Sequence, residues 1–205
     1  MNSEQNNKWQ RFDRISYFVF TIWPLMALFY AILNYRLRSF KNIVWLFCGF
    51  YGYNFVIAGK DGDVQRYKDQ LVALYEANYT ASQFFFMLID GDYGRGDYMQ
   101  PILTYAVSSF TDNYRILYLI YGLIFGYLLS RSLDILIRYS KGNTHYLIKF
   151  LLIYFFFLVP VWYINGVRYY LAVHFLVYGL LRFYVIKDKK SILYLIGSVL
   201  MHFSF

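Results

Sequence analysis

Apolar residues come in long blocks separated by short polar connectors, without the alternation of half-buried strands. The blocks fall near 15–35, 42–59, 116–137, 147–164, 167–186 and 191–205, each close to the roughly 20 residues that cross a bilayer. The pattern predicts an all-α, polytopic integral membrane bundle of about six membrane segments, formed by one domain over 1–205. Between the second and third blocks, 60–114 is the sizeable polar stretch, expected as a loop on the outer face. Within it Val64 to Tyr79 sets Leu71, Leu74 and Tyr75 at helical spacing, which predicts an amphipathic helix along the interface. Met99 to Thr111 is too short to span and begins beside Pro101, so a re-entrant or interfacial helix is expected there.

Composition agrees with the pattern: 59% of residues are hydrophobic, 24% aromatic and only 16% charged, where an ordinary globular domain carries roughly 25% charged residues. The net charge of +8 would suggest nucleic acid in a soluble protein. Here the cations sit in connectors, at Arg36, Arg38 and Lys41, at Arg131, Arg138, Lys141 and Lys149, and at Lys187, Lys189 and Lys190. That distribution is a positive-inside bias, and it places the sparsely basic 60–97 loop on the opposite side. Lys8, Arg11 and Arg14 make the first polar arm equally basic, so the charge rule leaves its side open. No small-residue cleavage site clearly follows the first apolar block, which is therefore expected as a membrane helix and not as a cleaved signal. Cys48 lies in an apolar block and is the single cysteine, so no intrachain disulfide forms.

Arg168 stands at the mouth of the block ending near Ile186. An arginine at the centre of a membrane helix costs roughly 2.5 to 3.5 kcal/mol on insertion scales, and less near an interface. Asn165 is a good N-cap and Gly166 permits close backbone approach, so Arg168 is expected in the first turn beside free amides. Such a convergence suits a phosphate or pyrophosphate, and Arg serves it better than Lys through bidentate geometry. The plain alternative is a side chain that snorkels to the headgroups and anchors the helix.

A second constellation follows the second block, in Gly59 to Tyr67. On a helix starting at Asp63, residues Arg66, Tyr67 and Gln70 share its side. Asp63 beside an arginine and a tyrosine can orient or deprotonate a sugar hydroxyl; its plain alternative is helix capping. Asp61-Gly62-Asp63 and Asp90-Gly91-Asp92 lack the Gly and distal Glu of a calcium loop. Arg95-Gly96-Asp97 and the Asn78-Tyr79-Thr80 sequon are strings short enough to arise by chance. His145, His174 and His202 have no metal-ligand spacing, and His174 reads as helix packing. Neither a metal nor another cofactor is expected.

Taken in order, these pieces resemble the EpsG family of Wzy-like bacterial exopolysaccharide and O-antigen polymerases. Gly62-Asp63-Val64-Gln65-Arg66-Tyr67 is similar to the family's Gly-x-Asp then Tyr pattern, and Asn113-Tyr114-Arg115 to its next landmark. Asn165-Gly166-Val167-Arg168 through Ala172 resembles its Gly-x-Arg signature, and Met201-His202-Phe203-Ser204 its His-x-Ser. Tyr169 departs from the glutamine often found beside that arginine. The chain stops at Phe205, inside an apolar segment, where family members usually continue, so 1–205 reads as the N-terminal part of a longer polymerase fold.

The resemblance implies a membrane glycosyltransferase of the bacterial inner membrane. It would join undecaprenyl-pyrophosphate-linked oligosaccharide repeats at the outer face, alongside other polysaccharide-assembly membrane proteins. Arg168, Arg66 and Arg95, with Tyr67, Asn165 and Gly166, would hold pyrophosphate and substrate. Asp63, then Asp61, then His202 are the candidates to orient or deprotonate the acceptor. The rival expectations are a transporter of the same lipid-linked sugar and an inactive membrane fragment. A transporter should show paired broken helices or an inverted repeat, and neither is clear in the sequence.

Overall fold

The computed structural model describes residues 3–57, 62–90, 97–139 and 161–203, and every regular element among them is helical. Its centre is an antiparallel pair, α3 (Phe40–Tyr53) and α7 (Tyr114–Tyr139). Glycines bring the two backbones into contact. A Cβ added to Gly52 would lie 2.1 Å from the Tyr118 carbonyl oxygen, and one added to Gly122 would lie 2.3 Å from that of Cys48. Gly126, one turn further along α7, faces the Cys48 side chain and the Trp45 carbonyl. This Gly-x-x-x-Gly notch is a familiar way to pair helices without a water-driven core.

At the far end of the pair Lys41 Nζ lies 3.4 Å from Asp134, Arg138 Nε lies 3.0 Å from it, and Arg131 donates to Asn42 at 3.3 Å. The connector cations that can be followed therefore gather at one end of α3 and α7.

A 3-10 stretch, Val161–Gly166, leads into α8 (Val167–Leu181), and a π-helical turn, Arg182–Ile186, ends it. α8 runs parallel to α7, with the His174 ring edge-on to Phe125 at 4.2 Å. At Lys187, in a left-handed conformation (φ 64°), the chain reverses. It returns as α9 (Ile192–Met201), where Ser198 Oγ donates to the Ala172 carbonyl at 3.0 Å. Arg182, paired with Asp188, lies between the rings of Tyr178 and Tyr194 and locks the reversal.

Two helical runs, Tyr114–Tyr139 and Val161–Ile186, each of 26 residues, are long and apolar enough to cross a membrane. At 1.5 Å per residue such a run spans about 39 Å, against a hydrocarbon core of about 30 Å. The expected count of about six therefore becomes two among the described residues. The first block is interrupted: α1 (Ser3–Ile22) ends at Trp23 and α2 (Pro24–Leu33) begins after it. Pro24 has no N–H to donate and pushes Trp23 out of helical geometry, to φ −147°, ψ 87°. α3, at 14 residues, is also short of a span. The segment expected at 147–164 falls outside the described residues except for its last turn.

The 60–114 region holds three short helices, α4 (Asp63–Ala77), α5 (Ala81–Asp90) and α6 (Met99–Ser108). α4 buries Tyr67, Leu71 and Leu74 at i, i+4 and i+7. Tyr75, expected on that stripe, is 45% exposed because the buried stripe centres one step away. α6 has ten residues, too few to span, as expected from its length. Beneath α4, Gln100 Nε2 reaches Thr104 at 2.9 Å and Gln70 at 3.2 Å, while Thr104 and Tyr121 hydroxyls meet at 3.0 Å, tying α4 and α6 to α7.

Candidate functional site

Arg168 lies in the first turn of α8, and two segments remote in sequence converge on it. Its Nε donates to Tyr67 Oη at 2.9 Å, Nη1 to Asp97 Oδ2 at 2.7 Å, and Nη2 to Asp63 Oδ2 at 3.2 Å. Tyr67 in turn donates its hydroxyl proton to Asp63 Oδ2 at 3.3 Å, and Arg66 Nη2 holds Asp63 Oδ1 at 3.0 Å. Asp97 Oδ1 accepts the backbone amide of Phe203 at 3.1 Å, so the end of α9 is part of the same cluster. Two guanidiniums face two carboxylates, and the cluster is close to neutral.

Local sequence accounts for each placement. Gly62, at φ +122°, turns the chain so that Asp63 opens α4 as its first helical residue and not as its cap. One turn on, Tyr67 is buried under the cluster, where loss of water raises its hydroxyl pKa above the usual value despite the opposing pull of Arg168. The phenol therefore stays protonated at neutral pH and serves as a donor to Asp63.

Asn165 is not the cap of α8: Gly166 holds that position, and no side chain caps it. Val161–Gly166, ahead of Val167, is already helical, and Asn165 Oδ1 accepts from the adjacent Gly166 amide at 3.0 Å. Gly166 occupies the junction, at φ −96°, ψ 49°. The anionic partners of Arg168 are carboxylates of this chain.

Beside the cluster lies a cleft of about 570 Å³. Asp63, Val64 and Gly62 form one wall, Phe55 to Ile57 at the end of α3 another, and Tyr163, Asn165, Gly166 and Tyr170 the third. Tyr163 and Tyr170, which line the cleft together with Asp63 and Asn165, stack at 5.0 Å with only 7° between their planes. Phe55 is backed by Tyr118, stacked at 5.0 Å.

Of the residues singled out in the sequence, Asp63, Arg66, Tyr67, Asn165, Gly166 and Arg168 are brought together over chain separations near one hundred residues. Asp61 and Arg95 lie outside the described residues. His202 packs edge-on against Tyr169, at 6.0 Å between rings, and is not among the described residues lining the cleft. Nothing in the sequence marks Asp97: it belongs to a chance-prone tripeptide, and its partner is 71 positions away. Tyr163, exposed, and Tyr170, partly buried, stand out in the sequence only as part of a general aromatic enrichment at membrane interfaces.

The described residues form an all-helical structure with two helical runs long and apolar enough to cross a membrane, and with a cleft beside a charged cluster at one end of them. Comparison with protein-family models, with curated proteins and with solved structures finds no match to this chain.

Proposed function

We propose that this protein is a multi-pass inner-membrane glycosyltransferase of the polymerase type. It would extend undecaprenyl-pyrophosphate-linked oligosaccharides into a surface polysaccharide at the outer face, as the resemblance to the EpsG family implies. The observation that carries the reading is the convergence of Asp63, Tyr67 and Arg168 beside a cleft with a stacked tyrosine pair. Flat aromatic faces suit the apolar faces of sugar rings, while Asn165 and Asp63 offer polar atoms to hydroxyls.

In the proposed step an acceptor hydroxyl oxygen bonds to the anomeric carbon of the donor sugar as the bond to the pyrophosphate oxygen breaks. The hydroxyl proton passes to the Asp63 carboxylate. Arg168 and Arg66 balance the charge that develops on the departing pyrophosphate. Aromatic residues and an apolar helix at the cleft suit a substrate with a sugar head and a lipid tail.

The test is chain length in the producing cell. Arg168→Ala and Arg168→Lys should both abolish long glycan, the lysine because one ammonium cannot replace the forked donors, and single lipid-linked repeats should collect on the outer leaflet. Normal chain length in both variants removes the role given to Arg168. Repeats trapped on the inner leaflet would favour a transporter instead.

A further inference from the structure

The two carboxylates on Arg168 are unequal. Asp97 has only 10% of its side chain exposed and sits 2.7 Å from Nη1, with its second oxygen on the Phe203 amide. Asp63 is 44% exposed, sits 3.2 Å from Nη2 and forms part of the cleft wall. Asp97 is held on both oxygens by segments remote in sequence. Asp63 is held on Oδ2 by Arg168 and Tyr67 and on Oδ1 by Arg66, but two of those partners belong to its own helix and it borders the cleft.

We propose that Asp97 is the permanent anchor of Arg168 and Asp63 an exchangeable one, displaced from Nη2 by a phosphate or pyrophosphate entering the cleft. The inference rests on the polymerase reading for the identity of the anion. The exchange itself needs only a phosphate-class ligand. A phosphate group carries more charge than a carboxylate, so it competes well for Nη2, the donor nitrogen that Asp97 and Tyr67 leave to exchange. Asp97 keeps the guanidinium in place meanwhile and acts as a positioning residue. Once off Nη2, Asp63 Oδ2 has a lone pair free to accept a hydrogen bond from a hydroxyl. Asp63 would thus become available to an acceptor hydroxyl only once the anionic donor is seated, which imposes donor before acceptor.

The experiment uses the full chain in phosphatidylcholine nanodiscs. Carboxyl groups are labelled with a carbodiimide and glycine ethyl ester, with labelling of Asp63 and Asp97 read by peptide mass spectrometry. Farnesyl pyrophosphate should raise Asp63 labelling on the order of 5-fold, the lower end of ordinary coupling between sites, and leave Asp97 unlabelled. Arg168→Gln should raise Asp63 labelling with no ligand present. The sharpest readout is the sign of two binding changes: Asp63→Asn tightens farnesyl pyrophosphate binding by removing a competitor, Asp97→Asn weakens it, and Asp97→Glu restores it. Tighter binding in both asparagine variants, or labelling of Asp97 together with Asp63, overturns the anchor assignment. Saturable binding with Asp63 labelling unchanged overturns the exchange and leaves the polymerase reading standing. Absence of saturable binding overturns both. A rise produced by phosphatidylglycerol nanodiscs alone supports the exchange and counts against a leaving-group pyrophosphate.

Discussion

Arg168 keeps 28% of its side chain exposed while giving bonds to two carboxylates and a buried phenol, so its charge is balanced within the chain. Asp97 matters more to stability than Asp63, because its carboxylate is nearly buried. Asp97→Ala should cost about 2 kcal/mol, below the 3 to 5 kcal/mol of a wholly buried pair because Arg168 remains partly wet. Asp63→Ala should cost well under that; thermal unfolding in detergent compares the two, and equal losses would show that burial does not rank them. Asp188 gives a pH signature at the opposite end. The Lys190 backbone amide, with Arg182, holds its carboxyl below the usual carboxylate range. Its contribution is therefore present above the ordinary carboxylate pKa and is lost as pH falls through the depressed one. Between pH 6 and pH 3 the wild-type melting temperature should fall further than that of Asp188→Asn, and parallel curves would refute the assignment. Arg168 and Asp63 were legible in the sequence because a charge at an apolar boundary is conspicuous. Asp97 was not, since nothing local distinguishes a carboxylate whose partners are residues 168 and 203 from the other acids of the loop.

At the level of elements, contact between α3 and α7 depends on two missing side chains. A methyl at Gly122 would meet a backbone carbonyl oxygen at 2.3 Å, and that carbonyl belongs to a helix with little freedom to retreat. Gly122→Ala should cost about 3 kcal/mol, the upper end of ordinary overpacking. Gly197→Ala, whose methyl would meet only the Phe175 ring at 3.1 Å, should cost far less. Melting temperatures of the two variants check the ranking. The amphipathic α4 was readable from Leu71 and Leu74, because helical period survives without tertiary context. The break at Pro24 was open to reading too, but a hydrophobic window that runs through Trp23 hides a change in backbone direction. The notch of Gly122 and Gly126 has a sequence signature; what the sequence does not show is that Gly49 and Gly52 lie opposite.

For the molecule as a whole, two helical runs of membrane length set the axis, and the Asp63–Arg168 cluster lies at the opposite end from Lys41, Arg138 and Arg182. If that axis crosses a membrane with basic connectors inside, Gln65→Cys should react with an impermeant maleimide on intact cells, and Lys189→Cys only after permeabilisation. Cys48 is buried and gives little background; labelling of both positions from one side would sink the topology. The helical class was legible because block length is a property of composition. The span count was not, because ten apolar residues and twenty look alike until a proline or a turn divides them. The return of α9 to Asp97 also bears on the order of synthesis. Asp97 precedes Arg168 by 71 positions, so at ordinary elongation rates of about 5 to 20 residues per second it waits roughly 4 to 14 s for its guanidinium. Phe203 reaches it later still. The cluster thus matures only after Arg168 emerges, and a ribosome stalled before residue 168 leaves Asp97 without its guanidinium while Asp63 keeps only Arg66.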